Sequence, residues 1–130
     1  MNFYREIKNN FDVEISFHSC GSIVDLIPEL IDVGVTILDP IQTSAKGMDI
    51  QILKKNYGKE LTFHGAIDVQ QVLPQYTPEQ LAEEVKRTID VLGKDGGYIL
   101  APSHNLQPDT TVENIITMYE TAQKRRIRPY

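Results

Sequence analysis

The chain has 130 residues, a formal net charge of −5 and a single cysteine, Cys20. This length allows one domain, and the acidic balance argues against binding to duplex nucleic acid, which requires a basic surface. A lone cysteine excludes a disulfide framework and a structural zinc knuckle within the chain. No stretch approaches the roughly 18 consecutive apolar residues of a membrane span, and residues 1–10 have no apolar signal core. We therefore expect a cytoplasmic protein.

Four short apolar runs, rich in β-branched residues, alternate with amphipathic stretches along the chain. The length and composition of these runs are typical of β-strands rather than of buried helix segments. The predicted strands comprise residues 13–17, 35–38, 61–63 leading to Ile67, and 97–100.

The stretch after the first strand predicts a helix. Apolar residues from Ile23 to Ile31 recur at spacings of three and four, which places them on one helix face. Pro28 lies inside this pattern, so we expect the helix to begin late, near Asp25, with the proline in its first turn. Gly34 is expected to end it.

Three further helices are predicted after the remaining strands. Residues 49–57 suggest a short helix that Gly58 caps. Residues 77–80, Thr-Pro-Glu-Gln, form a capping box that begins a helix running to Gly93. The last helix follows residues 109–111, where either threonine can act as its cap.

Strands separated by helices cannot form hairpins, so they are expected to be parallel and joined by right-handed crossovers. The chain is thus an α/β fold of four parallel βα units, either half of a TIM (β/α)8 barrel or a small open sheet. The half-barrel is favoured because polar residues follow every strand, as on the active rim of barrel enzymes, and because no glycine-rich phosphate loop is present. These polar residues are His18 and Cys20, Asp39, residues 64–68, and residues 103–104.

His18 and Cys20 are the strongest local indication of a metal site. Residues i and i+2 of an extended segment point to the same side, and imidazole and thiolate are both good zinc ligands. His104 is the best candidate for a third ligand, with Asn105 and Asp109 as residues that could orient it. Three protein ligands leave one position open, which is typical of catalytic zinc. The alternative is a chance H-x-C sequence with no metal, since cysteine is often simply buried.

Carboxylates and imidazoles at the ends of the later strands are candidate catalytic groups. Asp39 could act as a general acid or base or bind a substrate, or it could cap the turn at Pro40. His64 and Asp68 follow the third strand and, with His104, complete the candidate catalytic set. For His64 the alternative is a core histidine whose hydrogen bonds are satisfied.

The polar loop 39–49 is expected to line a pocket, as loops on the rim of a barrel commonly do. Gln42, Lys46 and Met48 in this loop, together with Asn105 after the fourth strand, are the candidate substrate-binding residues. Lys46 could steer an anionic substrate, or it could be a solvated surface lysine.

Several motifs, in this order and spacing, resemble the uroporphyrinogen decarboxylase superfamily, which also contains the corrinoid-dependent methyltransferases. The resemblance covers about residues 13–122 and implies a TIM-barrel fold. The motifs are His18-Ser-Cys20-Gly21, Leu38-Asp-Pro-Ile-Gln42, Gly47-Met-Asp49, His64-Gly-Ala-Ile-Asp68, and Ala101-Pro-Ser-His-Asn-Leu-Gln-Pro-Asp109 followed by Glu113-Asn114.

The two branches of this superfamily imply different chemistry. In the methyltransferases, an H-x-C pair and a later cysteine hold a zinc ion that activates a thiol to accept a methyl group. His18 and Cys20 match the pair, and His104 replaces the later cysteine. In the decarboxylases, a histidine similar to His104 lines the tetrapyrrole pocket, and neither metal nor cofactor is needed. The H-x-C pair favours zinc-dependent methyl transfer between a corrinoid and a thiol, and a tetrapyrrole lyase is the alternative.

The resemblance covers only the C-terminal barrel half, so residues 1–130 are predicted to be a single half-barrel domain without the N-terminal half. A half-barrel exposes two strand edges and an apolar interior. We therefore expect a partner, either the missing barrel half or a second copy of the chain, with a corrinoid protein as a further candidate and neither nucleic acid nor membrane. The lone chain is expected to be inactive. A non-catalytic half-barrel fragment or assembly module is the third hypothesis.

Overall fold

The computed structural model describes residues 2–126, with side chains from residue 3 to residue 125. None of the helices in this part of the chain is long and apolar enough to cross a membrane. The elements in chain order are α1 (Asn2–Asn10), β1 (Ser16–His18), a 3-10 turn (Val24–Leu26), α2 (Ile27–Asp32), β2 (Ile37–Ile41), α3 (Ile50–Tyr57), β3 (Thr62–Ile67), α4 (Val72–Gln75), α5 (Pro78–Leu92), β4 (Tyr98–Pro102) and α6 (Val112–Arg126).

The four strands form one parallel sheet in the order β1-β2-β3-β4. A helix lies between each strand and the next in sequence. The predicted α/β fold of four parallel βα units is therefore confirmed.

The predicted helix starts are confirmed in detail. Pro28 lies in the first turn of α2. The α5 capping box is complete, because Thr77 Oγ1 accepts from Gln80 N at 3.3 Å and Gln80 Oε1 accepts from Thr77 N at 3.0 Å. Asp49 caps α3 by accepting from two backbone N–H groups. Thr111, rather than the threonine before it, accepts from the backbone of α6.

Three features of the fold differ from the prediction. Helices α1 and α4 were not predicted. Strand β1 begins at Ser16 and not at residue 13, because only Ser16–His18 pair with β2. Strand β2 continues through Asp39 and Pro40 to Ile41, with a register shift between Leu38 and Ile41 that accommodates the proline. Asp39 therefore lies within a strand and not after one.

The two faces of the sheet differ in what covers them. On one face the side chains pack against the helices, and Leu38 and Phe63 are fully buried there. The other face carries side chains that are partly or fully exposed, and we call it the open face. It corresponds to the face that points inward in a closed parallel barrel. The open face consists of Ser16, His18, Ile37, Asp39, Thr62, His64 and Ile99.

Both outer strands have an unpaired edge in the described part of the chain. Strand β1 pairs with β2, and β4 pairs with β3. The free N–H and C=O groups of such edges can accept a further strand. The sheet is therefore open at two edges and on one face.

Asn114 of α6 is almost fully buried, and its side chain connects α6 to α4 through hydrogen bonds. Its Nδ2 donates to the Leu73 carbonyl at 2.8 Å and to the Tyr76 carbonyl at 2.9 Å.

Asn114→Ala is expected to lower the free energy of unfolding by about 2 kcal/mol, because it removes two buried hydrogen bonds. Urea denaturation measures this change. Asn56→Ala, at an exposed position of α3, is the control and should change stability by less than about 0.5 kcal/mol; equal effects would show that the Asn114 contacts contribute nothing.

Candidate functional site

The strand register places His18, Asp39 and His64 side by side on the open face. His18 pairs with Asp39, while Leu38 pairs with Phe63, one position before Asp39 and His64. His18 Nδ1 lies 2.8 Å from Asp39 Oδ2, and His64 Nδ1 lies 2.5 Å from Asp39 Oδ1. One carboxylate thus bridges two imidazoles, and we call these three residues the His–Asp–His row.

The surroundings of Asp39 favour its ionised form. Partial burial raises the pKa of Asp39, but the hydrogen bonds and charges of His64 and His18 together lower it by more, so that the pKa lies below its ordinary value of 3.8. At neutral pH the side chain is therefore a carboxylate, which only accepts hydrogen bonds. Both of its oxygens face histidines, so the alternative that Asp39 serves to cap a turn does not fit.

Gly65 allows β2 and β3 to approach closely beside the row. Its φ is +100°, and a Cβ at this position would lie 3.1 Å from Pro40 Cβ. Its carbonyl accepts a hydrogen bond of 2.8 Å from the Tyr98 hydroxyl. Burial raises the pKa of Tyr98 well above its usual range, so the phenol keeps its proton and donates it to this bond.

Cys20 lies next to the row at the carboxyl end of β1. Its Sγ is 4.0 Å from His18 Nε2, and the cysteine is exposed and free. Two donors on one tetrahedral zinc ion, with Zn–N of about 2.1 Å and Zn–S of about 2.3 Å, are about 3.6 Å apart. The two donors are thus a few tenths of an ångström beyond the separation that a shared zinc ion requires. As two of the predicted ligands, His18 and Cys20 fit such an ion.

His104 lines two neighbouring cavities at the carboxyl end of the sheet. One cavity, of about 340 Å³, is lined by the His–Asp–His row, His104 and Asn105. The other, of about 440 Å³, is lined by Cys20, Gln42 and His104. The two cavities bring most of the predicted site residues to one region of the surface.

The three predicted zinc ligands nevertheless do not converge. Within residues 2–126, no group of three His, Cys, Asp or Glu side chains is placed to hold a metal ion. His18 is the last residue of β1 and Cys20 follows this strand, whereas His104 follows β4, and these are the two outer strands of the sheet. Three interstrand spacings of about 4.8 Å separate such strands. In this structure the predicted ligands are therefore a pair, His18 and Cys20, with His104 across the cavity.

Gln42 and Asn105 occupy positions that agree with the predicted role in substrate binding. Gln42 Oε1 accepts from Gly21 N at 2.8 Å and so ties the loop after β2 to the loop after β1, next to Cys20. Asn105 lines the cavity beside His104. Both side chains are accessible to a ligand.

Three other predicted site residues lie elsewhere. Met48 is fully buried in the core, where the loop after β2 turns it inward, so it cannot contact a substrate. Asp68 is 5% exposed, and its Oδ1 accepts from Gln70 N at 2.6 Å, so in this structure it stabilises a turn. Lys46 is exposed, and neither cavity includes it. The burial of Met48 argues against its predicted role in substrate binding, whereas the predicted catalytic role of Asp68 stays a prediction.

The sequence profile of uroporphyrinogen decarboxylase (URO-D) matches residues 2–125. The chain belongs to the uroporphyrinogen decarboxylase family. This confirms the resemblance inferred from the sequence motifs.

Two proteins that are similar to this URO-D family chain carry names from methyl-transfer chemistry. A curated protein named methionine synthase, from Methanothermobacter marburgensis, is 28% identical over 97 residues, which are 73% of this chain and 30% of that protein. The solved structure of a methyltransferase from Methanosarcina mazei matches with a TM-score of 0.72 at 18% identity, over 94% of this chain and 34% of that one. The second match shows a shared fold. The chain thus spans about a third of the length of each protein.

Proposed function

We propose that this chain carries part of the active site of a zinc-dependent methyltransferase, which moves a methyl group from a corrinoid to a thiol. The observation that carries the proposal is the pair of donors, His18 Nε2 and Cys20 Sγ, 4.0 Å apart beside an accessible cavity. The names of the two similar proteins support methyl transfer as the reaction class.

In the proposed site His18 and Cys20 would hold the zinc ion, and His104, which lies across the cavity, is the proposed third ligand. A zinc ion held in this way favours the thiolate form of a bound thiol near neutral pH. A methylated corrinoid would supply the methyl group that the thiol sulfur accepts. His64, 32% exposed in the same cavity, is the proposed acceptor of the thiol proton. Gln42 and Asn105 are the proposed substrate contacts.

We further propose that a second barrel half covers the open face. Ile99 is 44% exposed on this face, and the outer strands leave two edges free in the described part of the chain. The matched region is only 34% of the matched methyltransferase, so the remainder of such a protein could supply the cover. The covering half is either the missing N-terminal half or a second copy of the chain. A corrinoid protein is the proposed source of the methyl group.

A tetrapyrrole decarboxylase is the alternative, because the matching family profile bears that name. Its substrate carries several carboxylates, which cationic side chains would bind. The residues that line the cavity of the row include no lysine or arginine. The His18–Cys20 pair beside this cavity is the observation that favours the thiol reaction.

The proposal is tested by zinc X-ray absorption on the chain purified without chelator. We expect zinc coordinated by nitrogen and one sulfur, and one additional sulfur after a small thiol such as 2-mercaptoethanol is added. Addition of the thiol without a change in the number of sulfur ligands would reject thiol activation. Protein without zinc, even after incubation with the ion, would favour the non-catalytic half-barrel.

A further inference from the structure

Asp39 accepts hydrogen bonds from histidines on both neighbouring strands. His18 Nδ1 approaches one carboxylate oxygen at 2.8 Å, and His64 Nδ1 approaches the other at 2.5 Å. Each ring therefore turns its Nε2 away from the carboxylate. In His18 the Nε2 lies 4.0 Å from Cys20 Sγ, and the His64 ring lines the 340 Å³ cavity.

The chemistry of these contacts determines where the ring protons lie. An ionised carboxylate accepts hydrogen bonds but has no proton to donate, so each Nδ1 that faces it must carry a hydrogen. In a neutral imidazole the other nitrogen, Nε2, is then the acceptor. Neutral histidine in water carries its proton mostly on Nε2, which is the opposite arrangement. A ring without the carboxylate would therefore present its lone pair mostly at the wrong nitrogen.

We propose that Asp39 is a positioning residue that holds His18 and His64 in the same Nδ1–H tautomer and so directs both Nε2 lone pairs away from the carboxylate, toward Cys20 and the cavity. For His18 the consequence rests on the proposed zinc function, since the Nε2 lone pair would bind the ion. For His64 the same tautomer makes Nε2 an acceptor for a substrate proton. Asp39 acts through the two rings, and this assignment replaces the predicted role as a general acid or base.

The test is a long-range ¹H–¹⁵N spectrum of the metal-free, ¹⁵N-labelled chain at about pH 8, above the ordinary histidine pKa of about 6.5. Signals are assigned with the variants His18→Gln and His64→Gln, and exposed His104 serves as the internal reference. We expect a protonated Nδ1 and a bare Nε2 in both His18 and His64. A proton on Nε2 of either ring in the unmodified chain would overturn the proposal. The tautomers are read in the unmodified chain, and the variants serve only to assign the signals.

Asp39→Asn provides a second, independent readout. The amide has the same shape but offers one acceptor and one donor, so it can satisfy only one Nδ1–H group. We expect one of the two rings to switch to the Nε2–H tautomer, and zinc affinity to fall by about 10- to 100-fold. No switch in either ring would overturn the proposal. If the tautomers are as expected but zinc does not bind, the positioning role stands and the zinc function is rejected.

Discussion

Replacing Cys20 with serine is expected to lower the affinity of the chain for zinc by at least about 100-fold. The substitution removes the only thiolate that the chain can offer, and a serine hydroxyl is a poor zinc ligand at neutral pH. Changes outside the ligand shell alone cost about 10- to 100-fold in metal affinity, so the loss of a ligand should cost more. Competition with a chromophoric chelator measures the affinity directly.

Ser19→Ala is the matched control for this substitution. Ser19 lies between the two proposed ligands, and its hydroxyl donates only a long bond of 3.4 Å to the Cys20 carbonyl. Side chains alternate along an extended segment, so Ser19 should point away from the ion. We expect the zinc affinity of the Ser19→Ala chain to stay within about twofold of that of the unmodified chain, since no ligand is changed. Equal affinities of the Cys20→Ser chain and the unmodified chain would refute the proposed ligand pair.

Phe63→Ala is expected to lower the free energy of unfolding by about 3–5 kcal/mol, because it leaves a cavity under the helices. Phe63 is fully buried on the covered face of β3. The free energy of unfolding of an ordinary domain is only about 5–15 kcal/mol. A large fraction of the Phe63→Ala protein is therefore expected to be unfolded under mild conditions. Urea denaturation followed by circular dichroism measures the effect.

Ile99→Ala, on the open face of β4, is the contrasting substitution. Ile99 is 44% exposed, so its truncation should lower the free energy of unfolding by about 1 kcal/mol. The size of this loss should not depend on protein concentration. A loss as large as that of Phe63→Ala, growing with protein concentration, would show that copies of the chain already cover the open face. That result would contradict an open face in the isolated chain and support self-association as the way the barrel is completed.

Most of the fold could be predicted because its signals are local. Thr77 and Gln80 are three residues apart, and a capping box is recognised from that spacing alone. The end of β2 could not be predicted, because Pro40 normally argues against a central strand, and only the register shift after Leu38 accommodates it. Helix α1 was missed because its few apolar residues, such as Tyr4 and Ile7, are recognisable as a buried face only once the core they pack against is known.

Part of the candidate site could also be predicted, because its signal is local in the sequence. His18 and Cys20 are two residues apart in an extended segment, so their proximity follows from strand geometry. The bridge from Asp39 to His18 and His64 depends on the register between strands, which is set by distant packing and not by local sequence. Met48 was misplaced because polarity of the surrounding loop does not reveal which of its side chains turns into the core.

The most direct test of the central claim, that His18 and Cys20 share one metal ion, is the absorption spectrum of the chain loaded with Co²⁺ in place of zinc. A thiolate ligand produces a sulfur-to-cobalt charge-transfer band in the near ultraviolet. The account predicts this band in the unmodified chain, its loss in the Cys20→Ser chain and its retention in the Ser19→Ala chain. A cobalt spectrum without the band, or one that Cys20→Ser leaves unchanged, would contradict it.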